Sequence, residues 1–131
     1  MDDKRFDHIT SLIIGCSYQV GNGLGAGFAE KCYENALVHE LRKANLSVQQ
    51  QVPIQVWYDG VVVGEYVADL IVEGVVLVEL KAVKTLDPAH YAQCINYLAA
   101  TRLPVCLLIN FGQKVEVKRI AGKSLQQDPS V

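Results

Sequence analysis

Two dipeptides, Asp59-Gly60 and Glu73-Gly74, constrain this chain more than any other feature. Asp-Gly between apolar-rich runs is a strong short-range hairpin signal, because a two-residue turn demands positive φ and both residues tolerate it. Residues 48–58 alternate loosely and residues 61–72 return from that turn. Glu73-Gly74 reads as a second tight turn, after which residues 75–80 form a short apolar strand that ends in charge. The middle of the chain is therefore expected to fold as a three-stranded antiparallel unit.

The flanks read differently. Over residues 6–18, Phe6, Ile9, Ile13 and Cys16 recur at helical spacing with Leu12 alongside, which predicts an amphipathic helix. Four glycines between Gly21 and Gly27 break the pattern and predict a loop. A second helix is expected over residues 28–44, with Phe28, Cys32, Leu37 and Leu41 in its apolar stripe and Asn45 as its stop. Helical period returns over residues 87–101, with Asp87 as N-cap and Pro88 at the first helical position. Residues 105–110 suit a buried strand, and residues 115–120 alternate as an edge strand does. The order ααβββαββ describes an α/β sandwich with a mixed β-sheet flanked by helices.

At 131 residues, half of them hydrophobic, the chain suits one domain over residues 1–120 with a polar tail over residues 121–131. The formal net charge of -2 argues against strong non-specific holding of long nucleic acid by charge alone. Cys16, Cys32, Cys94 and Cys106 form no C-x-x-C pair and sit in apolar contexts, which points to buried free thiols in a reducing cytoplasm rather than to zinc. The opening MDDKRFDHIT is polar and acidic, unlike a signal peptide, and no apolar run approaches the roughly 20 residues of a membrane helix.

The chemistry-bearing residues gather around the second tight turn. Asp69 lies late in one strand and Glu79 at the end of the next. In simple hairpin register about Glu73-Gly74, Asp69 faces Val78, beside Glu79, and a bulge or bend near Asp69 could bring the carboxylates together. Alternate side chains share a strand face, so Glu79 and Lys81 project together while Leu80 points into the core. Two acids and an ammonium at one spot are costly to bury without compensation. A divalent cation supplies it, since Mg²⁺ prefers oxygen ligands and is often held by one or two carboxylates and several waters. The carbonyl of Leu80 is a further candidate ligand. Lys81 would orient or help deprotonate attacking water, which suits phosphodiester hydrolysis.

Asp69 followed by Glu79-x-Lys81 on adjacent strands resembles the PD-(D/E)XK nuclease superfamily. Gly27-Phe28-Ala29-Glu30-Lys31-Cys32-Tyr33 matches the signature that names its GxxExxY family, and the likeness runs from Ile9 to the segment ending in Gly112. The resemblance implies a restriction-endonuclease-like fold and an Mg²⁺- or Mn²⁺-dependent nuclease acting on nucleic acid, DNA ahead of RNA. It assigns Asp69 and Glu79 to the metal, Lys81 to catalysis and Glu30 to a supporting acid. Gln93 and Tyr97, a Gln-x-x-x-Tyr pattern, would contact substrate or brace the site. Relatives often read Val-His where this chain has Val20-Gly21, and proline where Ala26 stands.

Blander roles stand beside these. Glu79 and Lys81 also suit an exposed charge pair, and Glu30 also suits a helix N-terminus, where the macrodipole favours acids. Tyr33 suits a core or site-wall position, and His90, one turn before Gln93, either a cleft wall or a polar helix flank. His8 and His39 suit surface or packing positions. The glycine loop resembles a phosphate cradle but lacks a preceding strand and a P-loop lysine. Trp57 and Tyr58 near a turn suit base stacking or cover for a sheet face. Lys114, Lys118, Arg119 and Lys123 form a basic stretch interrupted by Glu116. Two rival functions are a nucleic-acid-binding module with little turnover and a homodimeric interaction protein paired through the edge strand over residues 115–120.

Overall fold

A computed structural model of the chain describes residues 4–122. Most of the polar tail, Lys123 and the first three residues of the N-terminal stretch lie outside the described residues. The elements are α1 (Asp7–Leu24), α2 (Glu30–Lys43), β1 (Val48–Tyr58), β2 (Val61–Val72), β3 (Val76–Lys81), α3 (Pro88–Thr101), β4 (Val105–Phe111) and β5 (Val115–Ala121). The order ααβββαββ is the expected one. The strands form one five-stranded sheet in chain order, with β3 and β4 parallel and the other neighbours antiparallel. This is the mixed sheet flanked by helices of a restriction-endonuclease-like α/β fold.

Each face of the sheet covers its own core. Leu70, Val72, Val76, Val78, Leu80, Leu107 and Ile109 pack with Ile13 of α1 and Leu37 and Leu41 of α2. Leu77, Cys106 and Leu108 pack on the other face with Cys94, Tyr97 and Leu98 of α3. The central strands β3 and β4 are thus buried on both sides, as their unbroken apolar runs require.

The turns behave as their residues demand. Asp59 and Gly60 take φ of 53° and 77°, Glu73 and Gly74 take 55° and 68°, and Asn45 takes 64° just past the end of α2. The Asp87 side chain accepts from the Ala89 amide while His90 Nδ1 accepts from the Asp87 amide, so α3 opens on a reciprocal cap with Pro88 in its first turn.

Three expectations need correction. Helix α1 does not stop near Tyr18 but continues through Gly21 and Gly23 to Leu24, with the buried stripe extended by Val20. Gly21 is accommodated there because Val115 of β5 packs where a β-carbon would sit, so a histidine at this position would collide with Val115. The loop begins only at Gly25, at φ 74°. In α2, Phe28 lies before the helix and is exposed, and Cys32 faces solvent, while Tyr33, Leu37, Val38 and Leu41 form the buried stripe. The expectation of four buried thiols therefore holds for Cys16, Cys94 and Cys106 but fails for Cys32. Finally, the second turn contains one residue more than Glu73-Gly74: Val72 pairs with Val76, leaving Val75 in the turn and starting β3 one residue later. Among the described residues no helix is long and apolar enough to cross a membrane.

Candidate active site

The extra turn residue sets the register that matters. With Leu70 opposite Val78, the next position places Asp69 opposite Glu79 rather than opposite Val78. A second irregularity frees Asp69 from its other neighbour. In β1, Gln50 pairs with Leu70 and Val52 with Ala68, but Gln51 and Asp69 do not pair, and Gln51 takes φ 55°. Both carboxylates then take amides across the opened rungs: Asp69 N–H donates to Glu79 Oε2 at 2.8 Å, and Leu80 N–H donates to Asp69 Oδ2 at 2.8 Å. The carboxylates are thus brought opposite each other by the extra turn residue rather than by a bulge near Asp69, and there side chains replace backbone partners.

Each carboxylate keeps an oxygen outside these amide bonds, and the charges around them are not neutralised. Glu79 is 3% exposed. Burial, then the Asp69 carboxylate, pushes its carboxyl up from the ordinary 4.5 to about 8, against the pull of the Asp69 amide. Burial also raises Asp69, opposed by the Leu80 amide and reinforced by Glu34. Glu30, in the first turn of α2, is raised by burial and then by Asp69, with Lys81 pulling it down. Four groups from three elements thus act on one another: Glu30 from α2, Asp69 from β2, and Glu79 and Lys81 from β3. The two sheet acids are best described as a pair that holds a proton well into the neutral range.

The expected satellites divide. Tyr97 is buried beneath the site, its hydroxyl takes a hydrogen bond from Gln93 Nε2 at 3.2 Å, and its ionisation is resisted by burial and then by Glu79. Tyr33 is a core residue: its hydroxyl donates to Gly25 O at 2.5 Å and accepts from Phe28 N–H at 3.2 Å, and its ring stacks on Phe111 at 4.7 Å. His90 is committed through Nδ1 to the α3 cap. In the basic stretch, Arg119 pairs with Asp7 at 2.7 Å and ties β5 to the start of α1.

Two supports escape the sequence reading. Glu34 is 2% exposed, yet it accepts from Lys31 Nζ at 3.0 Å, Gln50 Nε2 at 2.6 Å and Gln51 Nε2 at 3.0 Å. It therefore fastens the irregular stretch of β1 to α2, one turn below Glu30. The available signal is the four-residue spacing from Glu30, which puts both acids on one helix face, together with the amide run Gln49-Gln50-Gln51 in a strand otherwise rich in apolar residues. Asn110 is the other: its amide donates to Val83 O and accepts from Val83 N–H, both at 2.9 Å, strapping the segment after Lys81 to β4.

Among the described residues, no three acidic, histidine or cysteine side chains close on one point tightly enough to cage an ion. The donor set nevertheless suits a hard divalent cation. It is all oxygen, its acids repel one another, and two carboxylates with water and a carbonyl are a sufficient Mg²⁺ shell. The arrangement as a whole puts an acid pair, a nearby lysine and a helix acid at the rim where the sheet opens.

Neither a curated protein nor a solved structure matches the chain. A sequence model of the PD-(D/E)XK nuclease superfamily matches residues 7–120. That span contains every element from α1 to β5 but the last residue of β5, and with it all four converging groups, so the chain belongs to the PD-(D/E)XK nuclease superfamily.

Proposed function

We propose that this protein is a nuclease of the GxxExxY branch that hydrolyses phosphodiester bonds in DNA, in preference to RNA, with Mg²⁺ or Mn²⁺. The observation that carries the reading is that the Asp69 amide donates to the Glu79 carboxylate and the Leu80 amide to the Asp69 carboxylate, which sets two carboxylates at an opened strand pair beside Lys81. Asp69, Glu79 and the Leu80 carbonyl would hold the ion, with Glu30 supporting a ligand or a second ion. When bound, the ion neutralises the acid pair and polarises the phosphate.

The chain's own groups have separable tasks. Once deprotonated, Asp69 and Glu79 fix the position of the phosphate's charge-balancing centre at the rim. Lys81 makes no ion pair within 4 Å among the described residues, which leaves its ammonium available to orient the attacking water and to meet charge developing on the phosphate. Tyr97, braced by Gln93, walls the α3 side, Tyr33 anchors the loop at Gly25, and His90 stands one turn further along α3. The free thiols suit a cytoplasmic setting.

The test is cleavage of labelled single- and double-stranded DNA and RNA with Mn²⁺, run beside Lys81→Ala. Cleavage should fall by on the order of 10²-fold or more in the variant, the size expected for a positioned general acid or base. Binding that persists with no Lys81-dependent cleavage would instead make the protein a nucleic-acid-binding module on a nuclease fold.

A further inference from the structure

The β1–β2 hairpin carries a surface for which hydrolysis at the acid pair has no use. Trp57, Val62 and Tyr66, 60%, 36% and 49% exposed, share its face toward α3, while Tyr58, Val61 and Val67 are exposed on the opposite face. Solvent exposure of so many large apolar side chains on one element marks a binding surface. It also borders a groove of about 460 Å³ between the hairpin and α3, lined by Gln55, Trp57, Tyr66, Asn96 and Arg102 among others.

The groove touches the cluster that underlies the acid pair. The rings of Tyr66 and Tyr97 lie 5.4 Å apart, tilted by 44°. Tyr97 in turn packs in one cluster with Ala68, the residue before Asp69, and with Leu77, two residues before Glu79 on the same strand face. Trp57 and Tyr66 thus line the groove, and Tyr66 meets the buried Tyr97 that underlies the candidate site.

Its chemistry selects the occupant. The polar groups along it are two carboxamides and a guanidinium, and no acidic side chain lines it. A surface free of carboxylates on a chain of net charge -2 favours an anion. Flat rings interspersed with amide donors and acceptors favour planar heterocycles. A duplex keeps its bases stacked inward, whereas a single strand presents them to such rings.

We infer that the groove between the β1–β2 hairpin and α3 binds single-stranded nucleic acid, with Trp57 and Tyr66 stacking successive bases and feeding the strand toward the acid pair. The inference rests on the nuclease reading and deepens it, making the substrate a single strand or a single-stranded end.

Trp57 is the only tryptophan in the chain, so its fluorescence reports on this groove alone. The full chain is titrated with oligothymidylate in EDTA, where hydrolysis does not interfere. Saturable quenching is expected, with a blunt duplex of equal length binding at least roughly tenfold more weakly. Tyr66→Ala should weaken the quenching titration, and Trp57→Ala the anisotropy of a labelled strand, by roughly tenfold each. Both positions are exposed, and circular dichroism checks that the variants fold. Equal affinity for duplex, or anisotropy indifferent to both variants, overturns the inference. Emission that changes with protein concentration alone also overturns it, because a second copy would then cover the hairpin. None of these outcomes touches the nuclease reading, which stands or falls on Lys81-dependent cleavage with metal.

Discussion

At the scale of single residues, Glu79 is the group whose environment has the clearest consequence. Its side chain is almost fully buried and its carboxyl is raised from 4.5 to about 8 by that burial and by Asp69. Between those values the folded protein holds a proton that the unfolded chain has released. The native state then binds more protons, so raising the pH lowers stability. The contribution of this group is fully present below pH 4.5, is lost as pH climbs toward 8, and changes no further above that. A tenfold change in proton affinity is worth about 1.4 kcal/mol, so the loss is on the order of a few kcal/mol. Urea unfolding in EDTA should therefore show declining stability from pH 5 to pH 8. Glu79→Gln, neutral throughout, should flatten most of that decline, leaving the smaller parts from Asp69 and Glu30, which are raised in the same direction. An unchanged slope in the variant would place the proton elsewhere.

At the scale of elements, the site depends on an irregular strand held by a helix. Gln51 leaves the β1–β2 ladder at positive φ, and its amide and that of Gln50 end on Glu34 of α2. Removing the buried shared acceptor takes a charge-assisted partner from half-buried Gln50, which keeps Asn35 Oδ1 at 2.8 Å, and from the exposed Gln51 and Lys31. Glu34→Ala should cost about 2–3 kcal/mol in urea unfolding. It should also reduce cleavage, because the unpaired rung beside Asp69 loses its anchor; normal cleavage in a destabilised variant would make Glu34 structural only. The same stretch marks where the sequence ceases to be legible. Element order, the Asp59-Gly60 turn, the Asp87 cap and the sheet's parallel pair follow from local chemistry: turn residues, capping residues and period. The candidate ligands and Lys81 are legible as a spacing. The register that makes Asp69 face Glu79 is not, because it turns on whether Val75 belongs to the turn or to the strand, and an apolar residue beside Gly74 fits either. The end of α1 misleads for a related reason. Glycines at 21 and 23 weaken helical propensity, but packing of Val20 inward and Val115 against Gly21 overrides it. Cys32 misleads in the opposite direction, as an apolar residue at nearly the right spacing that lies on the wrong side of the helix.

At the scale of the whole molecule, the three acids lie on three elements, α2, β2 and β3, so anything that binds them together braces the fold. Their burial, reinforced at Glu30 and Glu79 by the Asp69 carboxylate and at Asp69 by Glu34, is a stored cost in the metal-free protein, visible in the raised carboxyls of all three. A divalent ion that binds only the folded state stabilises it by mass action, by about 2.7 kcal/mol at a hundredfold excess over Kd. At roughly 2–4 °C per kcal/mol for a chain near this size, Mn²⁺ at that excess should raise the thermal midpoint by about 5–10 °C. Because the ion must displace the proton held by the acid pair, the increase should be larger at pH 8 than at pH 6. Asp69→Asn should abolish it. Lys81→Ala should retain it while losing cleavage, since the lysine carries no ligand oxygen. That pairing separates binding from chemistry: a midpoint insensitive to Mn²⁺ in the unaltered protein removes the metal site, whatever the fold, whereas a normal rise with inert phosphodiesters leaves a metal-binding member of the superfamily that has lost its reaction.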